Sequence, residues 1–269
     1  MAIPLITSRQ NPRVKLAAEL RSGRERRTAG RFLIDGEREI ARALESGIRP
    51  LEVFVREGED KKGVLTPFSG AEIFCVTPEV FEKLCFGERV GAGMVVVAET
   101  PVRKLAALKD LPAEPLVAVI EGVEKPGNVG AILRSADAAG VDAVVVADGG
   151  TDLFNPNTIR ASLGTVFGPN VVSATSAETV AWLRKRRIRT VAARPDAELV
   201  YTEADLRGGV AIVLGSEATG LSGAWRGENI LPVRLPMRGI ADSLNVSVAA
   251  GVVLYEAVRR RKKPSMRKA

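Results

Sequence analysis

The chain has 269 residues, of which 46% are hydrophobic and 26% charged, the balance of a folded protein with a buried core. It contains two cysteines, Cys75 and Cys85, and no histidine, which excludes a disulfide framework, histidine-based catalysis and histidine-ligated zinc. No apolar run reaches the roughly 18–20 residues of a membrane span, and the N-terminus lacks a signal-peptide core, so we expect a cytoplasmic protein without membrane contact.

The formal net charge of +7 is concentrated at the two ends of the chain. Residues 1–31 hold eight basic and two acidic side chains, and residues 259–269 hold seven basic ones and no acid. Residues 32–258, in contrast, carry 24 basic against 30 acidic side chains. Cationic segments bind nucleic-acid phosphates through counterion release, or simply keep a protein soluble. Two such arms on one chain favour a nucleic-acid partner.

The first hundred residues predict a small α/β domain, residues 1–100, that begins with a basic helical arm at 1–31. The elements predicted after this arm are a strand at 32–35, a helix at 37–46, strands at 51–55 and 71–76, a helix at 78–85 and a strand at 94–98. Residues 101–115 combine prolines with mixed charges and are predicted to be an interdomain linker.

From residue 116 the alternation of apolar strands and helical stretches restarts. The predicted strands are 116–120, 143–147, 190–193, 210–214 and 230–235. Near-continuous apolar strands are typical of a parallel sheet that is covered on both faces. A last helix is predicted over 244–262, followed by a basic tail at 263–269, and cations suit a helix C-terminus. The second predicted domain therefore spans residues 116–262.

Three polar stretches follow predicted strands, where open α/β sheets bind their ligands. In the first, Asn128 is a candidate N-cap for a helix that carries Arg134, and Gly127 and Gly130 would let a ligand approach the backbone. A phosphate at the helix start could meet backbone N–H groups and the guanidinium. The same pattern also fits an ordinary capped helix with a surface arginine.

The second and third stretches add a glycine-rich loop and an unusual helix start. Gly215, Glu217 and Gly220 predict a tight loop with free N–H groups and one carboxylate, although an ordinary turn has the same composition. In the third stretch, Ser243 and Asn245 interrupt an apolar helix start. Asparagine beyond the cap disfavours a helix, so Asn245 is expected to bind a ligand or join a buried hydrogen-bond network.

Taken in order, these three stretches resemble the three motifs of the SpoU/TrmH family of RNA ribose 2′-O-methyltransferases in the SPOUT superfamily. Residues 1–100 are similar to the family's α/β RNA-binding domain, which is related to ribosomal kink-turn-binding proteins. The resemblance implies a parallel sheet whose C-terminal segment forms a deep trefoil knot. It also implies an obligate homodimer, with each active site completed across the interface, and S-adenosylmethionine (SAM) as the cofactor.

The resemblance also implies roles for individual residues. Those assigned to catalysis are Arg134, Asn128, Glu217, Ser243 and Asn245. Those assigned to the cofactor, held mainly by backbone, are Leu214, Gly215, Gly220, Leu235, Met237, Ser243 and Leu244. No residue is assigned to a metal.

The expected reaction is methyl transfer from SAM to a ribose 2′-hydroxyl of structured RNA. Ribosomal RNA of the large subunit is the first expectation for the substrate, and transfer RNA is the second. A non-catalytic RNA-binding protein or chaperone with the same domains is the alternative. A nicotinamide-dependent dehydrogenase is disfavoured, because the G-x-G-x-x-G fingerprint is absent.

Overall fold

The structure is a computed structural model that describes residues 3–59, 65–85, 93–108 and 110–261. The chain divides into two compact units, the first comprising Met1–Pro101 and Asp152–Gly168, and the second Val102–Thr151 and Pro169–Ala269. No helix of the described ranges is both long and apolar enough to cross a bilayer.

The elements of both units are numbered here in chain order. Among the described residues the strands are β1 (Leu5–Ile6), β2 (Arg31–Ile34), β3 (Pro50–Arg56), β4 (Glu72–Val76), β5 (Met94–Glu99), β6 (Leu116–Glu121), β7 (Ala143–Ala147), β8 (Val171–Ala174), β9 (Arg189–Ala193), β10 (Val210–Leu214) and β11 (Ile230–Val233). The α-helices are α1 (Pro12–Glu19), α2 (Gly23–Ala29), α3 (Glu37–Glu45), α4 (Pro78–Leu84), α5 (Pro126–Ala138), α6 (Pro156–Ala161), α7 (Ser176–Lys185) and α8 (Val246–Arg260).

The first unit is built on a five-stranded sheet in the order β1-β4-β3-β5-β2, in which β5 runs antiparallel to both of its neighbours. The strands and helices predicted in this part of the chain are confirmed to within about two residues. The basic arm forms two helices, of which α1 is capped by the Asn11 side chain, whose Oδ1 accepts from the Arg13 N–H at 2.9 Å. The two-residue strand β1 was not predicted.

Residues 152–168 belong to the first unit, although they were predicted to lie in the second domain, residues 116–262. Two ion pairs within the unit hold this segment. Arg26, which is only 4% exposed, binds Asp152 with 2.6 Å between Nη2 and Oδ2. Arg160 of α6 binds Asp35 with 2.8 Å between Nη2 and Oδ2. The paired residues lie more than a hundred positions apart in the chain, so no local sequence pattern indicates that residues 152–168 belong to the first unit.

The second unit is a six-stranded sheet in the order β11-β9-β10-β6-β7-β8, and all of its pairings are parallel. The predicted parallel α/β fold is confirmed, and the short strand β8 is the one strand that the sequence analysis missed here. Strands such as Ala143–Ala147 are buried along their whole length, as expected when helices cover both faces. The sheet places the carboxyl ends of β9, β10 and β11 side by side.

Much of the predicted linker is packed rather than free. Residues Leu105–Ala107 form a short 3₁₀ helix, and Leu105, Leu108 and Leu111 contact the apolar core of the second unit. These leucines bury apolar surface. Their burial was not predicted, because prolines and charged residues surround them in the sequence. The segment therefore extends the second unit at its N-terminal side.

Candidate active site

A pocket opens beyond the carboxyl ends of β9, β10 and β11, at the start of α8. Its empty space amounts to about 780 Å³, which includes open solvent at its mouth. Its lining residues are Ala193, Arg194 and Pro195 after β9; Leu214, Gly215, Ser216, Glu217 and Gly220 after β10; Leu235, Met237, Asp242, Ser243 and Leu244 after β11; and Val246 and Ala249 of α8. The structure thus gathers all seven residues that the resemblance assigned to the cofactor into one pocket.

The loop after β10 closes tightly on itself and requires glycine at its first position. A Cβ atom on Gly215 would lie 2.4 Å from the carbonyl carbon of Gly220 and 2.6 Å from the nitrogen of Leu221. The loop is closed by a hydrogen bond from the Gly220 N–H to the carbonyl of Ser216 at 3.0 Å, and Gly220 has a φ of +66°. A side chain at position 215 would clash, and one at position 220 would strain the backbone. Both findings agree with the predicted tight loop.

The carboxylate of Glu217 collects hydrogen bonds from three other side chains. Its Oε1 accepts from Asn245 Nδ2 at 2.5 Å and from Asn128 Nδ2 at 3.0 Å, while Oε2 accepts from Lys125 Nζ at 3.1 Å. The bond from Lys125 is the largest cause that lowers the pKa of Glu217 below its usual range. An ionised carboxylate at this point orients both asparagine amides, so β10, α5 and α8 are joined at the edge of the pocket.

Asn245 has a different local role from the one expected. The helix predicted from residue 244 begins at Val246, so Asn245 is its N-cap, and its Oδ1 accepts from the Ser247 N–H at 3.0 Å. The premise that Asn245 lies beyond the cap was therefore wrong, since an asparagine cap is ordinary. The amide nitrogen of Asn245 donates to Glu217, but this bond is exposed and does not form the buried network that was expected.

Asn128 was predicted to be a helix N-cap, and the structure places it inside the helix instead. Helix α5 begins at Pro126 and its N-cap is Lys125, so Asn128 lies in the first turn rather than at the cap. Proline at the first helical position is common, because its missing N–H needs no partner there. The Asn128 side chain is consequently available to donate to Glu217.

Arg134 is the one predicted catalytic residue that stands apart. It is exposed on α5, does not line the pocket, and has no hydrogen-bond or ion-pair partner among the described residues. Ser243 does line the pocket. The structure therefore brings together Asn128, Glu217 and Asn245 beside a pocket that contains Ser243, and leaves Arg134 outside this group.

Two further polar residues at this edge, Arg194 and Asp242, were not predicted from the sequence. Arg194 lines the pocket and binds Asp196 with 2.5 Å between Nη2 and Oδ2. Asp242 also lines the pocket. The available signal for Arg194 was its position directly after a predicted strand, the same signal that identified the other three stretches. No group of three or more possible metal ligands is found within the described ranges.

A parallel sheet with a glycine loop, an oriented carboxylate and a pocket beyond its carboxyl edge defines a cofactor-binding α/β protein. Family models match both parts of the chain: the SpoU rRNA Methylase family over residues 115–255 and the MRM3-like substrate binding domain over residues 11–90. The chain belongs to the SpoU rRNA methylase family, which confirms the family and the methyltransferase class predicted from the sequence.

Individual relatives match along almost the whole chain. The 23S rRNA (guanosine(2553)-2′-O)-methyltransferase of Bacillus subtilis (strain 168) is 31% identical over 93% of this chain and 97% of its own length. A crystal structure of an RNA 2′-O ribose methyltransferase is 43% identical, has a TM-score of 0.80, and covers 95% of this chain and 98% of that one.

The cofactor prediction is supported by a third relative. The SpoU methyltransferase AviRb from Streptomyces viridochromogenes, crystallised in complex with the cofactor AdoMet, is 30% identical, with a TM-score of 0.84 over 93% of this chain and 98% of that one. The prediction that SAM is the cofactor is thereby confirmed.

Proposed function

We propose that this protein transfers the methyl group of SAM to a ribose 2′-hydroxyl of large-subunit ribosomal RNA. The observation that carries the proposal is the coincidence of the cofactor pocket with the cluster of Glu217, Asn128 and Asn245, in a chain of this family. The name of the relative from Bacillus subtilis, a 23S rRNA methyltransferase, supports ribosomal RNA over transfer RNA as the substrate.

The pocket is chemically suited to SAM. Leu214, Leu235 and Leu244 give it apolar walls that suit an adenine ring, and the tight loop at Gly215 brings backbone groups to its surface. When bound, SAM supplies an electrophilic methyl group on a sulfonium centre. The residues of the pocket would hold the cofactor, and methyl transfer would require the ribose oxygen, methyl and sulfur to lie nearly in line. Apolar walls also exclude water from the reacting atoms.

Arg134 is proposed to clamp the RNA phosphate next to the target ribose and to polarise the 2′-hydroxyl. A guanidinium has a pKa above about 12 and cannot serve as a general base near neutral pH. Its planar fork matches phosphate oxygens in a bidentate geometry. The hydroxyl proton then leaves through Ser243, water or the phosphate. An exposed arginine without an internal partner among the described residues is available for such a contact.

A homodimer explains how an arginine outside the pocket could act there. Helix α8 exposes an apolar stripe at helical spacing, with Val248 and Tyr255 each 52% exposed and Val252 38% exposed. We propose that two copies of the chain bury this stripe, so that the arginine of one protomer completes the pocket of the other. We also propose that the C-terminal segment of the chain forms a deep trefoil knot. Sedimentation of a monomer at micromolar concentration would count against the dimer.

The basic N-terminal arm is proposed to capture RNA, but three of its cations have structural partners, and one of these, Arg21, donates to the carbonyls of Lys83 and Cys85. Arg26 is buried against Asp152, and Arg13 binds Glu52 with 2.7 Å between Nη1 and Oε1. The exposed cations of the arm include Arg9, Lys15, Arg24, Arg27 and Arg31. These are the side chains that we propose for phosphate binding. With ribosomal RNA as the partner, we place the protein in the cytoplasm.

The basic C-terminus is also divided between two roles. The guanidinium of Arg260 donates to the carbonyl of Thr202, and that of Arg261 donates to the carbonyl of Gly208 at 2.7 Å. These two arginines bind the end of α8 to the segment that precedes β10 in the same unit. Residues 263–269, the predicted basic tail, lie outside the described residues, and we propose that phosphate contacts come from residues beyond Arg261.

The proposal is tested by mapping ribose methylation of total RNA by mass spectrometry in a deletion strain and in the complemented strain. Loss of one 2′-O-methyl group from 23S ribosomal RNA, restored by complementation, is the expected result. Loss from a transfer RNA would contradict the substrate proposal. Calorimetry with SAM separates the remaining alternative, because a non-catalytic RNA-binding protein of this fold has no need to bind the cofactor.

A further inference from the structure

The last residue of β6 is a buried carboxylate that does not line the pocket. Glu121 is 5% exposed and belongs to the central part of the sheet in the second unit. A buried carboxylate costs several kcal/mol of desolvation unless hydrogen bonds compensate. Packing alone therefore does not explain a buried carboxylate at the carboxyl edge of the sheet.

Two serines surround the carboxylate of Glu121. Its Oε1 accepts from Ser176 Oγ at 2.5 Å and from Ser222 Oγ at 2.7 Å, and its Oε2 accepts from the backbone N–H of Ser222 at 2.7 Å. Burial on its own would raise the pKa of Glu121, but the hydrogen bonds from Ser176 and Ser222 outweigh it and lower the pKa overall. The carboxylate is therefore ionised and accepts charge-assisted bonds, which are roughly twice as strong as neutral ones.

The two serines belong to different parts of the unit, and only one of them is linked to the pocket. Ser176 begins α7, and no residue of this helix lines the pocket. Ser222 ends the loop that starts at Gly215, and this loop supplies Gly215, Ser216, Glu217 and Gly220 to the lining. Since Gly215 is packed against Gly220 and the adjoining nitrogen, a shift of the loop end displaces its start as well.

The loop of residues 215–222 is thus held by carboxylate hydrogen bonds at two points. At one point, Glu217 of the loop accepts from Lys125 and Asn128 of the α5 start. At the other, Ser222 of the loop donates twice to Glu121. Within the described residues, these bonds to Glu121 are the side-chain hydrogen bonds that join the end of the loop to β6.

We propose that Glu121 is a positioning residue for SAM binding, which fixes the pocket loop through Ser222. It touches no reacting atom and acts on the backbone of residues 215–220. This inference deepens the proposed function and depends on SAM being the ligand of the pocket. The energetic consequence is expected in cofactor affinity, since a loop that is free to move must be ordered again on binding.

The experiment uses a matched pair of variants of the full-length protein. Ser222→Ala and Ser176→Ala each remove one hydroxyl that donates to the same carboxylate oxygen, but only Ser222 belongs to the pocket loop. The dissociation constant of SAM is measured by calorimetry at pH 7, together with the melting temperature of each variant. Ser222→Ala is expected to weaken SAM binding about tenfold, the equivalent of one charge-assisted hydrogen bond. Ser176→Ala is expected to lower the melting temperature while SAM affinity stays within about twofold.

Two further variants complete the test. Ser222→Thr keeps the hydroxyl at an exposed position and is expected to restore wild-type affinity. Glu121→Gln is expected to raise the KM for SAM by more than about tenfold with a smaller change in kcat, provided that it folds. Equal loss of SAM affinity in Ser222→Ala and Ser176→Ala, or no loss in Ser222→Ala, would overturn the role of Glu121. Failure of the wild-type protein to bind SAM would instead refute the proposed function.

Discussion

The double role of Asn245, as helix cap and as partner of Glu217, can be separated by two substitutions. Asn245→Ala removes the N-cap of α8, which costs about 1 kcal/mol. It also removes the 2.5 Å bond to Glu217, which we set at about 1 kcal/mol because the site is exposed and solvent offsets part of the loss. The expected loss of stability is about 2 kcal/mol, equivalent to roughly 4–8 °C for a domain of this size.

Asn245→Ser is the control, because serine caps a helix as well as asparagine does but is too short to reach Glu217. This variant should lose no more than about 1 kcal/mol of stability, yet lose methylation to the same extent as the alanine variant. The assays are thermal denaturation followed by transfer of labelled methyl groups to the RNA substrate, with rates corrected for the folded fraction. A serine variant with near-normal methylation would show that Asn245 is only a cap.

Three other predictions address the clamp, the tail and pH. Arg134→Lys should lower the methylation rate roughly 100-fold or more and leave SAM affinity near wild type, and a lysine variant with normal single-turnover rates would disprove the clamp. Removal of residues 262–269 should lower the salt dependence of RNA binding by about 0.7–0.9 for each phosphate that the tail neutralises, whereas an unchanged slope means a solubilising tail. Hydrogen bonds from Arg259 and Arg260 lower the pKa of Glu256 to about 2. Its stabilisation is therefore present above the ordinary value of 4.5 and lost as pH falls toward 2, so Glu256→Gln should reduce the fall in melting temperature over this range.

The sequence predicted those parts of the fold that depend on local pattern. Buried apolar runs such as 143–147 and 210–214 were found because strands covered on both faces read as continuous hydrophobic stretches. Strand β1 was missed because two residues give no periodicity, and β8 because only its first two residues, Val171 and Val172, form a buried apolar run. The place of residues 152–168 depends on ion pairs with distant residues, such as that between Arg26 and Asp152, and no local signal announces these.

The candidate site was predicted in composition but not in its connections. Gly215 and Glu217 line the pocket and Asn245 donates to Glu217, because polar residues after parallel strands converge at one edge. The hydrogen bonds among Glu217, Asn128 and Asn245 depend on helix starts that differed by two residues from those predicted. Glu121 was hidden because a single acidic residue at the end of an apolar strand has no distinguishing pattern. The assigned roles remain predictions until the variants are measured.

The strand order of the second unit has a consequence for how the chain is made. Strand β6 gains β7 as a neighbour early, but its other edge pairs with β10, which is synthesised about 90 residues later. At about 5–20 residues per second, the ribosome takes on the order of 5–20 s to supply that partner. During this time an apolar strand presents an unpaired edge, the usual template for aggregation. Since the pocket lining ends only at Ala249, SAM cannot protect the nascent chain, and the open edge must be shielded by the chain itself or by chaperones.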